Sequence, residues 1–185
     1  TMFIKPWCDK IAVDSGDKMK CQIYPSMQLG GTPPQLFDQV KDGVVDIVWV
    51  LPGYMAGRFP LSEVFELPFM MQSPEGTSKA LWDFVHANPN VAAEFKDVKL
   101  IALHVHGDGV FHMTKKPVNT MADLKGLKVR APTRQTNKLL AALGATPVAM
   151  PVPQVSEALS KSVIDGALVP YEVVPAVKIQ ELAKF

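Results

Sequence analysis

Three histidines stand close together, at 104, 106 and 112, and His104 and His106 alternate onto one face of a strand-like run. Two imidazoles on one face could hold a metal ion. Only Asp108 stands beside them as a carboxylate and no cysteine joins them, so the pattern favours a structural or pocket-lining role over a ligand set. The sequence holds no G-x-S-x-G, no glycine-rich phosphate loop and no H-E-x-x-H. Gly30-Gly31-Thr32 precedes a helix-like run without the P-loop lysine and reads as a turn. Asp38, Asp42, Glu157 and Glu172 are scattered carboxylates on helix-like segments, the usual place for solvated charge. A nucleophile and base could be drawn only from His104, His106, Thr133 and Tyr54, so no catalytic residue, metal or cofactor is expected.

The remaining chemistry sits at strand ends. "GLKVRAP" (126–132) alternates Leu127 and Val129 with Lys128 and Arg130, an apolar face against a charged one. Arg130 falls where the strand must stop, before Pro132. In open α/β sheets ligands bind outside the carboxyl ends of strands, and an arginine fork there suits a carboxylate. The alternative is a surface ion pair with a nearby Asp or Glu, and position alone does not choose between them. Two other strand ends carry unusual residues. "IVWVLPGYMAGRFP" supplies Trp49 and Tyr54 around a proline-glycine turn, and "GALVPYE" supplies Val169 and Tyr171. For Trp49, Phe65, Phe69 and Phe111, core packing is the simpler role of each ring taken alone.

The elements that must position these residues alternate along the chain. The pattern predicts helices over 2–14, "PPQLFDQVKDG", "SPEGTSKALWDFVHAN" with Ser73 as N-cap, Thr120–Lys125, Gln135–Leu143, "PQVSEALSKS" and "VVPAVKIQELAKF". It predicts strands over Met19–Tyr24, "VDIVWVL", "VKLIALHV", "GVFHMTKK", "LKVRAP", "TPVAM" and "GALVP". Repeated β-α-β alternation predicts an α/β fold with a mainly parallel sheet flanked by helices. A shift of 119 residues lays "PPQLFDQVKDGVVDIVW" over "VPQVSEALSKSVIDGAL", matching Pro34 to Pro153, Gln35 to Gln154, Val44 to Val163 and Asp46 to Asp165. Two copies of one unit suggest two lobes, 1–106 and 107–185, with a hinge near 104–109 where two glycines break the strand pattern.

Composition agrees with a globular chain: 185 residues, 48% hydrophobic and 20% charged. A net charge of +1 is too weak a field to attract nucleic acid or an anionic membrane. Apolar runs such as "VVDIVWVLP" are far shorter than a membrane span. No leader pattern opens the chain at Thr1, which reads as a mature or trimmed start. Cys8 and Cys21 are the only cysteines. They suit one disulfide in an oxidising compartment or two buried thiols, and spacing does not decide between the two.

"MADLKGLKVRAPTRQTNKLLAALGATPVAMPVPQVSEALSKSVIDGALVP" resembles the extracytoplasmic solute receptors of TRAP transporters, the DctP-like family. The family pattern is a strand ending in arginine and proline, a helix, an "LGA-P-P-M" run, a helix and a "-DG" strand. "QIYPSMQLGG", "VKDGVVDIVWVLPGY" and "FELPFMM" are similar to its earlier segments. The resemblance implies a periplasmic, two-lobed receptor that closes on an organic acid and hands it to a permease driven by an ion gradient. It implies a substrate salt bridge from Arg130 and a polar contact from Thr133. Val169 stands where asparagine is common, Val110 where some sugar-acid receptors carry a second arginine, and Val152 where an aromatic ring is common. With Trp49 and Tyr54 opposite, and His106, Phe111 and Tyr171 flanking, these valines imply an acid with an apolar or aromatic body. The other function open to the same site is the ligand-sensing domain of a regulator or signalling receptor. Such receptors run well past 185 residues, which implies a missing first strand and missing closing elements, and sheets with exposed edges. The complete receptor is expected to be a monomer.

Overall fold

The structure, a computed structural model, describes residues 3–185. Helix α1 (Ile4–Asp14) buries Cys8 and carries Lys5–Asp9 and Lys10–Asp14 ion pairs one turn apart on its wet face. The first residue of the predicted 2–14 helix lies outside the described residues. Cys8 is bonded to Cys21, which resolves the cysteine alternatives in favour of a disulfide. A 3-10 turn at Pro33–Gln35, closed by a Thr32–Gln35 capping box, leads into α2 (Leu36–Lys41). Helix α3 (Pro74–Ala87) starts as predicted: the Ser73 hydroxyl accepts from the Gly76 N–H at 3.1 Å. A short α4 (Pro89–Ala92) follows. These elements enclose Phe37, Phe59, Leu81, Val85, Val91 and Phe95, with Phe59 stacked on Phe95 at 4.8 Å.

The second half holds the sheet. It comprises β1 (Val110–Met113), β2 (Lys128–Ala131), α5 (Arg134–Ala142), β3 (Thr146–Ala149), α6 (Val155–Ser160) and β4 (Gly166–Val169). The strand order is β1-β4-β2-β3. β2 runs parallel to both β3 and β4, and β1 closes the sheet antiparallel to β4. Helices cover both faces. Met113, Leu124, Val129, Ala131, Leu140 and Ala145 form one core layer. Val155, Ala158, Leu159, Ile164, Ala167, Val169 and Ile179 pack in the other. Each Val, Leu, Ile or Met among them contributes roughly 1.5–3 kcal/mol on burial. The register aligns His112, Ala167, Arg130 and Val148 in one row on one face.

Three predicted strands do not form. Met19–Tyr24, "VDIVWVL" and "VKLIALHV" have no ladder among the described residues. Their composition is strand-like, but a strand exists only when a neighbour takes its N–H and C=O groups, and Ile47, Trp49 and Ile101 remain exposed. The predicted terminal helix is instead two 3-10 segments, Tyr171–Val177 and Ile179–Glu181. Pro175 removes a donor inside it, and Lys178 turns left-handed at φ 53°. The tail then pairs with β1: the Met113 N–H donates to the Phe185 carbonyl at 2.6 Å.

The repeat is visible in the backbone. The 3-10 turn and helix at Pro33–Gln35 and Leu36–Lys41 recur, at the same offset of 119 residues, at Val152–Gln154 and Val155–Ser160. The exits match as well. Gly43 and Ser162 both adopt positive φ, 74° and 55°. The Val44 N–H reaches the Gln39 carbonyl at 2.8 Å, and the Val163 N–H reaches the Ala158 carbonyl at 2.9 Å.

Candidate functional site

Arg130 is the penultimate residue of β2 and is 1% exposed. Its Nε donates to the Met150 carbonyl at 3.0 Å and its Nη1 to the Leu168 carbonyl at 2.8 Å. These are carbonyls at the ends of β3 and β4, so the sheet holds the guanidinium in one orientation. Nη2 is buried with no hydrogen-bond partner. None of the ion pairs among the described residues includes Arg130, which removes the surface-ion-pair alternative. Burial pulls its pKa down from the ordinary guanidinium value, and the neighbouring Tyr54 hydroxyl opposes that shift. An arginine keeps its charge regardless. A buried charge without a counter-ion is costly, and an incoming carboxylate relieves that cost.

Tyr54 comes from the other half of the chain. It sits in the 3-10 turn Pro52–Tyr54, and its hydroxyl accepts from the Val152 N–H at 3.1 Å. The preceding residue, Gly53, is packed too tightly for a side chain: a Cβ there would collide with Glu66 Oε1 and lie 2.5 Å from Thr133 Cγ2. Thr133 is buried and caps α5 through Thr136. Glu66 meets this junction from a 3-10 turn, Ser62–Glu66. Burial raises its carboxyl pKa and the Glu63 charge adds to the rise, while Thr133, His106 and Arg134 oppose it.

Glu63, on the same turn and 7% exposed, joins the two halves. It accepts from Arg134 Nη2 at 2.6 Å, Arg134 Nε at 3.2 Å, Gln135 Nε2 at 2.9 Å and the Gly57 N–H at 3.2 Å. Burial would push its pKa up, but these donors outweigh burial and hold it below the usual carboxylate value. The Gly107 N–H donates to Glu172 at 2.7 Å, tying the 104–109 segment to the 3-10 turn that begins at Tyr171. Glu172 is therefore not merely a solvated helix charge.

The structure thus brings Arg130, Thr133, Tyr54, Val152 and His106 to one junction. The other predicted site residues lie differently. Trp49 is 61% exposed, packs against Phe3 and His104, and donates to His104 Nε2 at 3.1 Å. Phe111 packs into the Val129 layer, on the opposite sheet face from Arg130. Val169 is a fully buried part of the α6-side core, and its carbonyl lies 3.0 Å from His112 Nε2. Val110 pairs with Val169 across the ladder. Tyr171 is exposed and meets the His112 ring edge-on at 5.5 Å. The three histidines therefore part company, and among the described residues no three metal-ligating side chains gather. Gly53, Glu63, Glu66, Arg134 and Gln135 escaped the sequence reading. The available signal was a glutamate between Phe65 and Leu67 in an otherwise apolar "FELPF" run.

The strand ends of the mainly parallel sheet, with buried Arg130 among them, meet the helical half at the Val152–Tyr54 and Arg134–Glu63 hydrogen bonds. The chain belongs to the family of bacterial extracellular solute-binding proteins, family 7 (DctP), which it matches over residues 2–185. It is similar to a TRAP solute-binding protein from Rhodoferax ferrireducens solved with copurified benzoate, at 56% identity and TM-score 0.95, over 99% of this chain and 56% of that one. It is also similar to a marine-metagenome TRAP solute-binding protein specific for aromatic acid ligands, solved with 3-hydroxybenzoate, at 53% identity and TM-score 0.95, over 100% and 57%. Among curated proteins it is 32% identical to "Outer membrane transporter protein TsaT" of Comamonas testosteroni, over 89% of this chain and 48% of that protein. The chain spans about half the length of these relatives. No helix among the described residues is long and apolar enough to cross a membrane.

Proposed function

We propose that this protein is a periplasmic receptor that binds an aromatic monocarboxylate and delivers it to a TRAP-type membrane permease, with no catalysis and no cofactor. The observation that carries the reading is Arg130: a buried cation, fixed by two carbonyls, with Nη2 unpaired. The ligand class is supported by the benzoate and 3-hydroxybenzoate bound to the similar proteins. Residues 1–106 and 107–185 act as two lobes meeting near 104–109. In support, none of the three hydrophobic clusters mixes residues from both sides of that boundary. Arg130 takes the carboxylate, while Tyr54, Thr133, Val152 and His106 surround it. Closure by hinge motion is favoured because the ligand gains contacts from both lobes. The complete receptor works as a monomer.

Calorimetry with benzoate tests this. Wild-type protein binds it, and Arg130→Gln, shown folded by circular dichroism, loses at least about a hundredfold in affinity. Unchanged affinity in Arg130→Gln, or no binding of any aromatic monocarboxylate to the wild type, contradicts the proposal.

A further inference from the structure

Arg130 is not alone in carrying an unpaired buried atom. Among the described residues two such side-chain atoms occur, Nη2 of Arg130 and Oε2 of Glu66. Atoms of this kind are uncommon in folded proteins and each one costs stability. One belongs to a cationic donor, the other to a carboxyl group, and they do not bond to each other. Both side chains lie against the same dipeptide. Arg130 neighbours the Tyr54 hydroxyl, and Glu66 Oε1 packs on Gly53. Only a glycine at 53 lets Glu66 and Thr133 close over this turn.

We infer that Glu66 is a specificity-determining residue that pairs with a hydroxyl group on the ring of the bound aromatic acid, whose carboxylate Arg130 holds. This rests on the receptor reading above. The surroundings select a hydroxyl over other groups. The neighbouring carboxylate, Glu63, is already taken up by Arg134, Gln135 and the Gly57 N–H, so it is not free to serve the ligand. A second carboxylate on the ligand would meet two acidic side chains. An ammonium group would need Glu66 in its charged form, which burial disfavours. A hydroxyl both donates and accepts, so it satisfies Glu66 whether the carboxyl is charged or neutral. Burial raises the Glu66 pKa, and a hydroxyl partner serves both of its protonation states.

The test is calorimetry of benzoate, 3-hydroxybenzoate and benzene-1,3-dicarboxylate against wild type and Glu66→Leu. Wild type binds 3-hydroxybenzoate roughly tenfold more tightly than benzoate, and the dicarboxylate most weakly. Glu66→Leu abolishes the hydroxyl preference, weakening 3-hydroxybenzoate about tenfold more than it weakens benzoate. Glu66→Met keeps the volume without a carboxyl and repeats the test should the leucine variant misfold. Three results overturn the inference: no hydroxyl preference in wild type, a preference that survives both substitutions, or equal weakening of benzoate and 3-hydroxybenzoate. Failure of the receptor reading looks different, because benzoate itself would not bind wild type.

Discussion

Residues 33–50 and 152–169 are two copies of one unit with different outcomes. Both begin with a proline-bearing 3-10 turn, continue into a six-residue helix and leave through a residue of positive φ. In the second copy the chain then enters β4, with β1 on one side and β2 on the other. In the first copy the equivalent residues, 47–50, form no ladder among the described residues, and Ile47 is 50% exposed. Local sequence therefore sets the turn and the helix in both copies. The strand belongs to the neighbours that pair with it.

Substitutions at matched positions sharpen this contrast. The largest effect belongs to Val169→Asp, which places an unpaired charge in a core and costs more than about 4 kcal/mol in chemical denaturation. Its counterpart, Val50→Asp, costs about 1 kcal/mol or less at a half-buried site. Equal costs would break the comparison. Next comes the disulfide. Replacing Cys8 and Cys21 by serine removes a loop constraint of roughly 3 kcal/mol, and proteolysis should then cut α1 and residues 15–24 while sparing the sheet.

Glu63→Gln is smaller, about 1–3 kcal/mol, because Arg134 is partly exposed. Its pH dependence has a definite sign. The folded Glu63 carboxyl lies below the ordinary 4.5, so its stabilisation is complete above that value and is lost as pH falls through the folded pKa. Glu63→Gln flattens that acid limb. Glu66 acts oppositely: its folded pKa lies above 4.5, so its contribution is complete below that value and is lost as pH rises through the folded pKa. Glu66→Gln leaves the acid limb and flattens the other. The smallest effect is at the repeat's exits. Ser162→Gly gains about 0.5–1 kcal/mol by relieving positive φ, and Gly43→Ser loses a similar amount; thermal melts of both check it.

The same contrast explains what could be read in the sequence. Caps and turn residues act locally, so the α3 start at Ser73 and the stop at Gly144 were legible. The four strands of the second half were legible because their apolar runs find partners. "VDIVWVL" and "VKLIALHV" carry the same pattern without partners, and pattern alone cannot tell the two situations apart. Arg130 was legible as a charge at a strand end. Glu63 and Glu66 were not, because a 3-10 turn has no helical period and the Glu63 partner Arg134 lies 71 residues away. Trp49 packs on His104, and in sequence an aromatic ring near a strand end looks the same whether it packs on a ligand or on such a neighbour.

The most direct test of the central claim is a crystal structure of the protein with benzoate. The account predicts a carboxylate oxygen about 2.7–2.9 Å from Arg130 Nη2, with the Met150 and Leu168 carbonyls still holding Nε and Nη1. Benzoate bound elsewhere, with Arg130 untouched, would contradict it.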